Sequence, residues 1–395
     1  MVAPVRTVPY LSAMEPLALY IHWPFCLAKC PYCDFNSHVR ERIPQDAFRT
    51  ALRTELAWEA ARLGRRPLTS IFFGGGTPSL MQPDTVATLI QDACRWFDPV
   101  PGLEITLEAN PTSVEAARLA AFRQAGVNRL SLGVQSLNPD ALRLLGRQHS
   151  ATQARAALEI ARTTFPRVSF DLIYARPGQT LAAWRAELRA ALSLAADHLS
   201  LYQLTIEPGT AFATRHARGD IVLPDEDAAA ALYEATAEEA ARFGLLAYEV
   251  SNYARAGAES RHNLTYWRYG DYAGIGPGAH GRLTLAPDLL ATRRHRAPEI
   301  WAERVAQGGH GTAEQAALGG TEKVREMLLM GLRLTEGIDT ARFAARTGVS
   351  LEEAVDTGVL AQAEAEGYVR LMDGRLATRP AGRLRLDALL AALVR

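Results

Sequence analysis

The sequence predicts an α/β protein: a partial (β/α) barrel of about six units, followed by a small, mainly helical, winged-helix-like C-terminal domain. Three observations predict it. Strand-like and helix-like segments alternate from residue 17 to residue 245 with a repeat of about 30 residues, as parallel strands with right-handed crossovers require. In each unit the unusual residues sit at the C-terminal end of the strand, the rim where barrels gather functional groups, whereas a doubly wound sheet would concentrate them at one switch point. From about residue 320 the alternation stops, and helices with one hairpin take over.

Residues 1–16 read as an N-terminal tail without the long apolar stretch of a secretory signal, which places the chain in the cytoplasm. No apolar run reaches the ~18 residues of a membrane span. Residues 17–250 form the barrel core. Its strands are expected at 17–23, 69–73, 103–109, 129–134, 167–173 and 198–206. Helical patterns fall near 44–64, 81–97, 113–125, 138–145, 151–163, 180–195 and 225–243. The strand ends carry Gly74-Gly75-Gly76-Thr77-Pro78, Glu108-Ala109-Asn110-Pro111, Gln135-Ser136, Arg176-Pro177-Gly178 and Thr205-Ile206-Glu207, with Asp171 inside the fifth strand. Residues 251–315 are dense in Tyr, Gly and His and read as a less regular extension and linker. Residues 316–395 form the C-terminal domain, with a hairpin over 367–376 turning at Asp373-Gly374 and a last helix near 380–394.

The chain of 395 residues is 48% hydrophobic and 22% charged, which excludes a disordered or fibrous protein. Its 43 basic and 43 acidic residues cancel, so it has no chain-wide footprint for nucleic acid. A local run (Arg370, Arg375, Arg379, Arg383, Arg385) keeps nucleic-acid binding by the C-terminal domain as a reading of another class. Glu352, Glu353, Asp356, Glu364 and Glu366 stand against it, and no nucleic-acid partner is expected.

Three of the four cysteines, Cys26, Cys30 and Cys33, follow the first strand as CxxxCxxC. Such clustering reads as a metal site, not a disulfide framework. Three thiolates fall one short of a closed zinc site and suit a four-iron cluster with one iron open. Zinc with His22 or His38 as fourth ligand is the alternative. Cys94, in a helical pattern with Leu89 and Phe97, reads as a core residue. Alternation marks the inward face of the strands: Tyr20 and His22 lie opposite Leu19 and Ile21, and Thr106, Glu108 and Asn110 opposite Ile105 and Leu107.

CxxxCxxC with Tyr32 before the last cysteine, followed by GGGTP at the second strand end, resembles the radical S-adenosylmethionine (SAM) superfamily. A finer likeness runs from about residue 17 to 390: YIHWPFCLAKCPYCDFNSH, IFFGGGTPSL, LEANP, GVNRLSLGVQSL, LGRQH, DLIYARPGQT, YQLTIEPGT and HNLTYWRYGDYAGIGPGAHG. Together with the C-terminal domain they resemble the oxygen-independent coproporphyrinogen III oxidase family and, within it, the HemW-type branch of haem chaperones. Phe35 stands where the oxidases carry a further cysteine, and the cluster motif begins already at Cys26. Both features argue against porphyrinogen decarboxylation, so a coproporphyrinogen III dehydrogenase is the alternative function. Ala175-Arg176 replaces the Gly-Leu usual in the family.

The resemblance implies a [4Fe-4S] cluster on Cys26, Cys30 and Cys33. It implies SAM held by Tyr20, by Gly75, Gly76 and Thr77 at the methionine end, and by Glu108 at the amino group. Gln135, Arg147 and Asp171 would hold the ribose and carboxylate, with Thr205 and His280 near the adenine. The HNxxYW element implies haem at His262, flanked by Tyr266 and Trp267. His22 is the second candidate for a haem ligand and the one candidate catalytic residue. The implied partners are haem, a haem-accepting protein and an electron donor for the cluster. The implied activity is binding and transfer of haem before any catalysis.

Overall fold

The structure is a computed structural model that describes residues 15–394; the first fourteen residues of the expected N-terminal tail lie outside the described residues. Strand β1 (Leu17–Trp23) runs into a short parallel pair, β2 (Phe25–Cys26) and β3 (His38–Val39), which brackets the cysteine loop. Then come α1 (Gln45–Leu63), β4 (Pro67–Gly75), α2 (Pro83–Trp96), β5 (Asp98–Ala109), α3 (Ser113–Ala116), α4 (Leu119–Gln124) and β6 (Arg129–Gln135). They continue through α5 (Pro139–Leu144), α6 (Ala151–Thr164), β7 (Arg167–Tyr174), α7 (Leu181–Leu192), β8 (His198–Gln203), α8 (Ala211–Ala217) and α9 (Glu226–Arg242). Helix starts follow local chemistry. Pro83 opens α2, the Ser150–Gln153 capping box opens α6, and Thr180 and Asp225 cap α7 and α9.

The six strands β1 and β4 to β8 are parallel neighbours, as expected. Their outer faces pack on the helices through one continuous core that includes Leu19, Ile21, Phe73, Leu107, Leu132, Phe170 and Trp184. Cys94 packs against this core. No helix among the described residues is long and apolar enough to cross a membrane.

The segment after residue 250 is more regular than its sequence suggests. Strands β9 (Leu246–Ala247) and β10 (Asn252–Ala254) add antiparallel to β8, so the expected division at residue 250 falls inside the sheet. After α10 (Arg261–Trp267), β11 (Asp271–Ile275) inserts parallel to β1, with Leu17 opposite Asp271 and Ile21 opposite Ile275. A meander follows: β12 (His280–Leu285), β13 (Asp288–Arg294), α11 (Pro298–Gly308) and β14 (Thr312–Ala317). The resulting 12-stranded sheet runs β14-β13-β12-β11-β1-β4-β5-β6-β7-β8-β10-β9, and its ends stay unjoined among the described residues: the barrel is open. Glycines mask the strand pattern here because the backbones touch. A Cβ on Gly274 would lie 2.0 Å from the His280 carbonyl oxygen, and one on Gly276 2.3 Å from that of His22.

The C-terminal domain comprises α12 (Gly320–Gly331), β15 (Ile338–Asp339), α13 (Thr340–Thr347), α14 (Leu351–Ala354), α15 (Thr357–Ala365), β16 (Val369–Met372), β17 (Arg375–Thr378), α16 (Pro380–Arg383) and α17 (Leu386–Leu393). Its small sheet, β15-β17-β16, carries the expected hairpin. Asp373 and Gly374 both take positive φ (52° and 71°), as a type I′ turn demands. The domain docks through a second core that includes Tyr269 and Leu289 beside Met327 and Leu328. Arg346 from α13 also reaches the buried Asp271 of β11 at 3.0 Å.

Candidate functional site

The cysteine loop leaves the open end of β1 and β4 and is fastened at several points. The Lys29 ammonium donates to the Phe35 carbonyl (2.9 Å) and to Ser37 Oγ (2.6 Å). The Asn36 side-chain amide donates to the carbonyls of Pro277 and Arg296, both at 2.9 Å. The turn itself closes through Cys33 N–H to Cys30 O (3.1 Å), and Phe212 N–H holds the Pro31 carbonyl (2.9 Å). Two donors face the sulfurs: Thr77 Oγ1 lies 3.3 Å from Cys26 Sγ, and an Arg147 guanidinium nitrogen 3.3 Å from Cys30 Sγ. Burial pushes the Cys26 thiol up, and the Thr77 hydroxyl works against it.

Behind the sulfurs opens a cavity of about 410 Å³. The fold brings Cys26, Cys30, Cys33, Gly75, Gly76, Thr77, Glu108, Gln135, Arg147, Asp171 and Thr205 together around it, from the ends of β4 to β8. The glycines serve the chain's own packing. A Cβ on Gly75 (φ 115°) would lie 2.6 Å from the His22 ring, and one on Gly76 2.7 Å from the Phe25 carbonyl oxygen. Two polar atoms end here without protein partners among the described residues: Gln135 Oε1 and Arg147 Nε are buried and unbonded. Glu108 accepts the Gly75 N–H at 3.3 Å. Burial, reinforced by Asp171, raises the Glu108 carboxyl to about 8. Burial lifts Asp171 to about 6, although the Ser200 hydroxyl and the charges of Arg129 and Arg147 favour its ionised form. Such a set fits a zwitterionic ligand, whose ammonium and carboxylate would satisfy these groups.

A second cavity, of about 590 Å³, adjoins the first. Gly75, Glu108, Ser131, Asp171, Tyr202 and Phe35 line both, so they form the shared wall. Two aromatic rings stand open on that wall, Phe35 at 61% and Tyr202 at 41% exposure. The inner cavity holds Tyr20, His22, His280, His262 and Tyr266. His262 stacks on Phe72 (ring centroids 4.8 Å apart), and its Nδ1 meets Ser70 Oγ at 2.9 Å. Burial lowers its pKa to about 3, so the ring is neutral and able to ligate.

The structure sets three expected residues apart from some of those named with them. Tyr20 and His280 line the inner cavity, with Gly75, Glu108 and Asp171 but without the cysteines. The Tyr20 hydroxyl is spent on His22 Nδ1 at 3.0 Å. Trp267 leaves the lumen altogether: it lines a groove against the C-terminal domain, under the Arg333 guanidinium at 4.7 Å. On a short helix Trp267 and His262 are five positions apart, which turns them to different faces.

His22 has both ring nitrogens engaged, by Tyr20 and by the Asn36 carbonyl (2.9 Å), and burial lowers it to about 4. It braces the cysteine loop and has no free lone pair for a metal. His38 bonds Asn36 Oδ1 at 3.3 Å. Among the described residues no three His, Cys, Asp or Glu side chains converge on a single-ion position.

Residues 20–191 match the Radical SAM superfamily, and residues 318–385 match the HemN C-terminal domain. The heme chaperone HemW of Escherichia coli (strain K12) is 40% identical over 360 residues, 90% of this chain and 92% of that protein. The HemW of Haemophilus influenzae is 39% identical, covering 86% of this chain and 88% of its own length. The chain belongs to the HemW family of radical SAM proteins. The mitochondrial radical S-adenosyl methionine domain-containing protein 1 of Mus musculus is 45% identical over 83% of this chain and 75% of its own. In structure, coproporphyrinogen III oxidase (HemN) from Escherichia coli superposes with a TM-score of 0.80 at 24% identity, covering 96% of this chain and 90% of that one, and so shares the fold.

Sequence reasoning missed Asn110 and Arg129 as site residues. Asn110 receives Arg147 on its Oδ1 and donates to Thr77 Oγ1 at 3.3 Å, so it couples the two donors that face the sulfurs. Its place beside Glu108 in a polar strand end was the available signal. Arg129 is 3% exposed inside the lumen, and one arginine among many carried no signal at all.

Proposed function

We propose that this chain is a haem chaperone that binds a [4Fe-4S] cluster and SAM in the outer cavity and haem in the inner one, and hands haem to an acceptor protein. The observation that carries the reading is the shared wall: cysteines on one side, His262 on the other, and Glu108, Asp171 and Tyr202 between.

Cys26, Cys30 and Cys33 would hold three irons, and SAM would chelate the fourth. When bound and reduced, the cluster supplies one electron for cleavage of the SAM sulfonium bond. Thr77 and Arg147 donate toward the sulfurs and stabilise their negative charge. Glu108 would accept the ligand ammonium, and that cation would return its carboxyl to the ionised form. Arg147 and Gln135 would face the ligand carboxylate and ribose, and they line the cavity with Asp171 and Thr205. His262 would hold haem through its imidazole, which Ser70 orients at Nδ1. The working place is the cytoplasm, and an electron donor for the cluster is the further partner.

Anaerobic reconstitution tests the first half. About four irons and four sulfides per chain are expected, and loss of cluster absorbance in Cys30→Ser. A colourless protein carrying zinc would overturn it. Haemin titration tests the second half: a Soret shift is expected, weakened at least about tenfold in His262→Ala, the loss of about 1.4 kcal/mol or more. Under the same reducing conditions, coproporphyrinogen III should stay unconverted. Formation of protoporphyrinogen would favour the decarboxylase reading.

A further inference from the structure

The inner cavity contains a buried cation that the fold leaves underused. Arg129 opens β6 and is 3% exposed, yet it lines the cavity. Its Nε is buried without a hydrogen-bond partner. Its one ion-pair partner among the described residues, Glu104, lies 4.0 Å away, beyond hydrogen-bond reach. Glu104 is already committed. Its Oε2 faces Arg167 at 3.5 Å, and its Oε1 accepts Ser260 Oγ (3.4 Å) and the His262 N–H (3.2 Å). Asp171 and Glu108 line the same cavity, but neither bonds the guanidinium among the described residues. A buried guanidinium nitrogen without an acceptor is costly unless a ligand supplies one. Arg presents a planar fork that matches a carboxylate in a bidentate pair.

We infer that Arg129 is the anchor for a carboxylate of the ligand in the inner cavity. This rests on the haem reading above and narrows it: the ligand is a flat, apolar, aromatic molecule that carries carboxylate arms. The rest of the lining fits such a molecule. Phe72, Tyr202, Tyr266 and Tyr272 offer rings, and His262, whose backbone shares Glu104 with Arg129, offers an imidazole for the metal. Arg129 is thus a specificity determinant that selects the free acid over an ester of the same ring system.

The experiment compares haemin with haemin dimethyl ester by Soret titration of the full-length protein. The wild type should bind the free acid about 10- to 100-fold more tightly, which is the worth of one charge-assisted pair. Arg129→Gln should lose that preference while keeping its affinity for the ester. Arg129→Lys should recover only part of it, because an ammonium lacks the fork. Equal binding of acid and ester by the wild type would overturn the inference and leave the haem reading standing. If Arg129→Gln fails to fold, Arg129→Lys decides the matter, because Arg293 and Arg296 line the same cavity: an acid preference that stays at the wild-type value in that variant would overturn the inference. A wild type that binds neither compound would overturn the haem reading, and the anchor with it.

Discussion

At the residue scale, the two inward carboxylates carry the electrostatics of the lumen. Glu108 titrates near 8 in the folded chain against 4.5 as its ordinary value, chiefly through burial. The sign follows from linkage. A carboxyl raised on folding contributes fully below 4.5, and that contribution is lost as pH rises through about 8. The ligand-free wild type should therefore lose melting temperature relative to Glu108→Gln between pH 5 and pH 8. Parallel melting curves across that range would contradict the burial of an acid here. Ala175 offers a second test. It occupies left-handed backbone (φ 55°) at the place where the family usually has glycine. The strain is about 1–2 kcal/mol, and glycine gives back about 0.5–1 through its greater unfolded freedom. Ala175 is also buried in the core (2% exposed), and losing its methyl costs about 0.8 kcal/mol, so Ala175→Gly should change urea unfolding by less than about 1 kcal/mol in either direction. Arg176, beside it, is buried against Glu187 and Ser136 and ties two strand-end loops together.

At the element scale, the close approach of β1, β4 and β11 shapes both cavities. Gly276 (φ 93°) follows β11 directly, where any Cβ would collide with the His22 backbone. Backbone strain and overpacking together make Gly276→Ala cost about 2–4 kcal/mol. Gly257 (φ 79°) has nothing within 4 Å of a Cβ, so Gly257→Ala should cost only about 1 kcal/mol. Similar losses in the two variants would show that the β1–β11 contact is looser than the structure has it. The expected helix over 113–125 is divided into α3 and α4. The six parallel strands were legible because Val, Ile, Leu and Phe on their outer faces must meet helices. Strand β11 was not, because its glycines answer a neighbouring backbone and not a periodic face.

At the scale of the whole molecule, one carboxylate joins the two cores. Asp271 of β11 is fully buried and takes Arg66 at 2.8 Å, Arg346 at 3.0 Å and the Thr284 N–H at 2.6 Å. Arg346 belongs to the C-terminal domain, so the domain's docking depends on a strand beside the inner cavity. Arg346→Ala should cost about 1.5–3 kcal/mol, since Asp271 keeps its other partners. Earlier unfolding of the C-terminal domain in limited proteolysis would accompany it. Unchanged proteolysis and stability would mean that the apolar contacts and the other ion pairs of this seam, such as Arg282–Glu326, hold the domain without it. The arginine run of the C-terminal domain is partly spent in the same way: Arg375 donates to the carbonyls of Glu336 and Gly337 at 2.9 and 3.1 Å.

The sequence by itself determined the strand–helix order, the family and the residues around the cysteines. Those properties are local: periodicity sets each element, and a ligand loop of eight residues carries its own spacing. Tertiary structure alone decided that the lumen has two chambers, that Trp267 faces the neighbouring domain, and that Arg129 is a buried cation among forty-three basic residues. Each of these depends on which distant strands become neighbours, and burial changes the energy of a charge far more than its identity does.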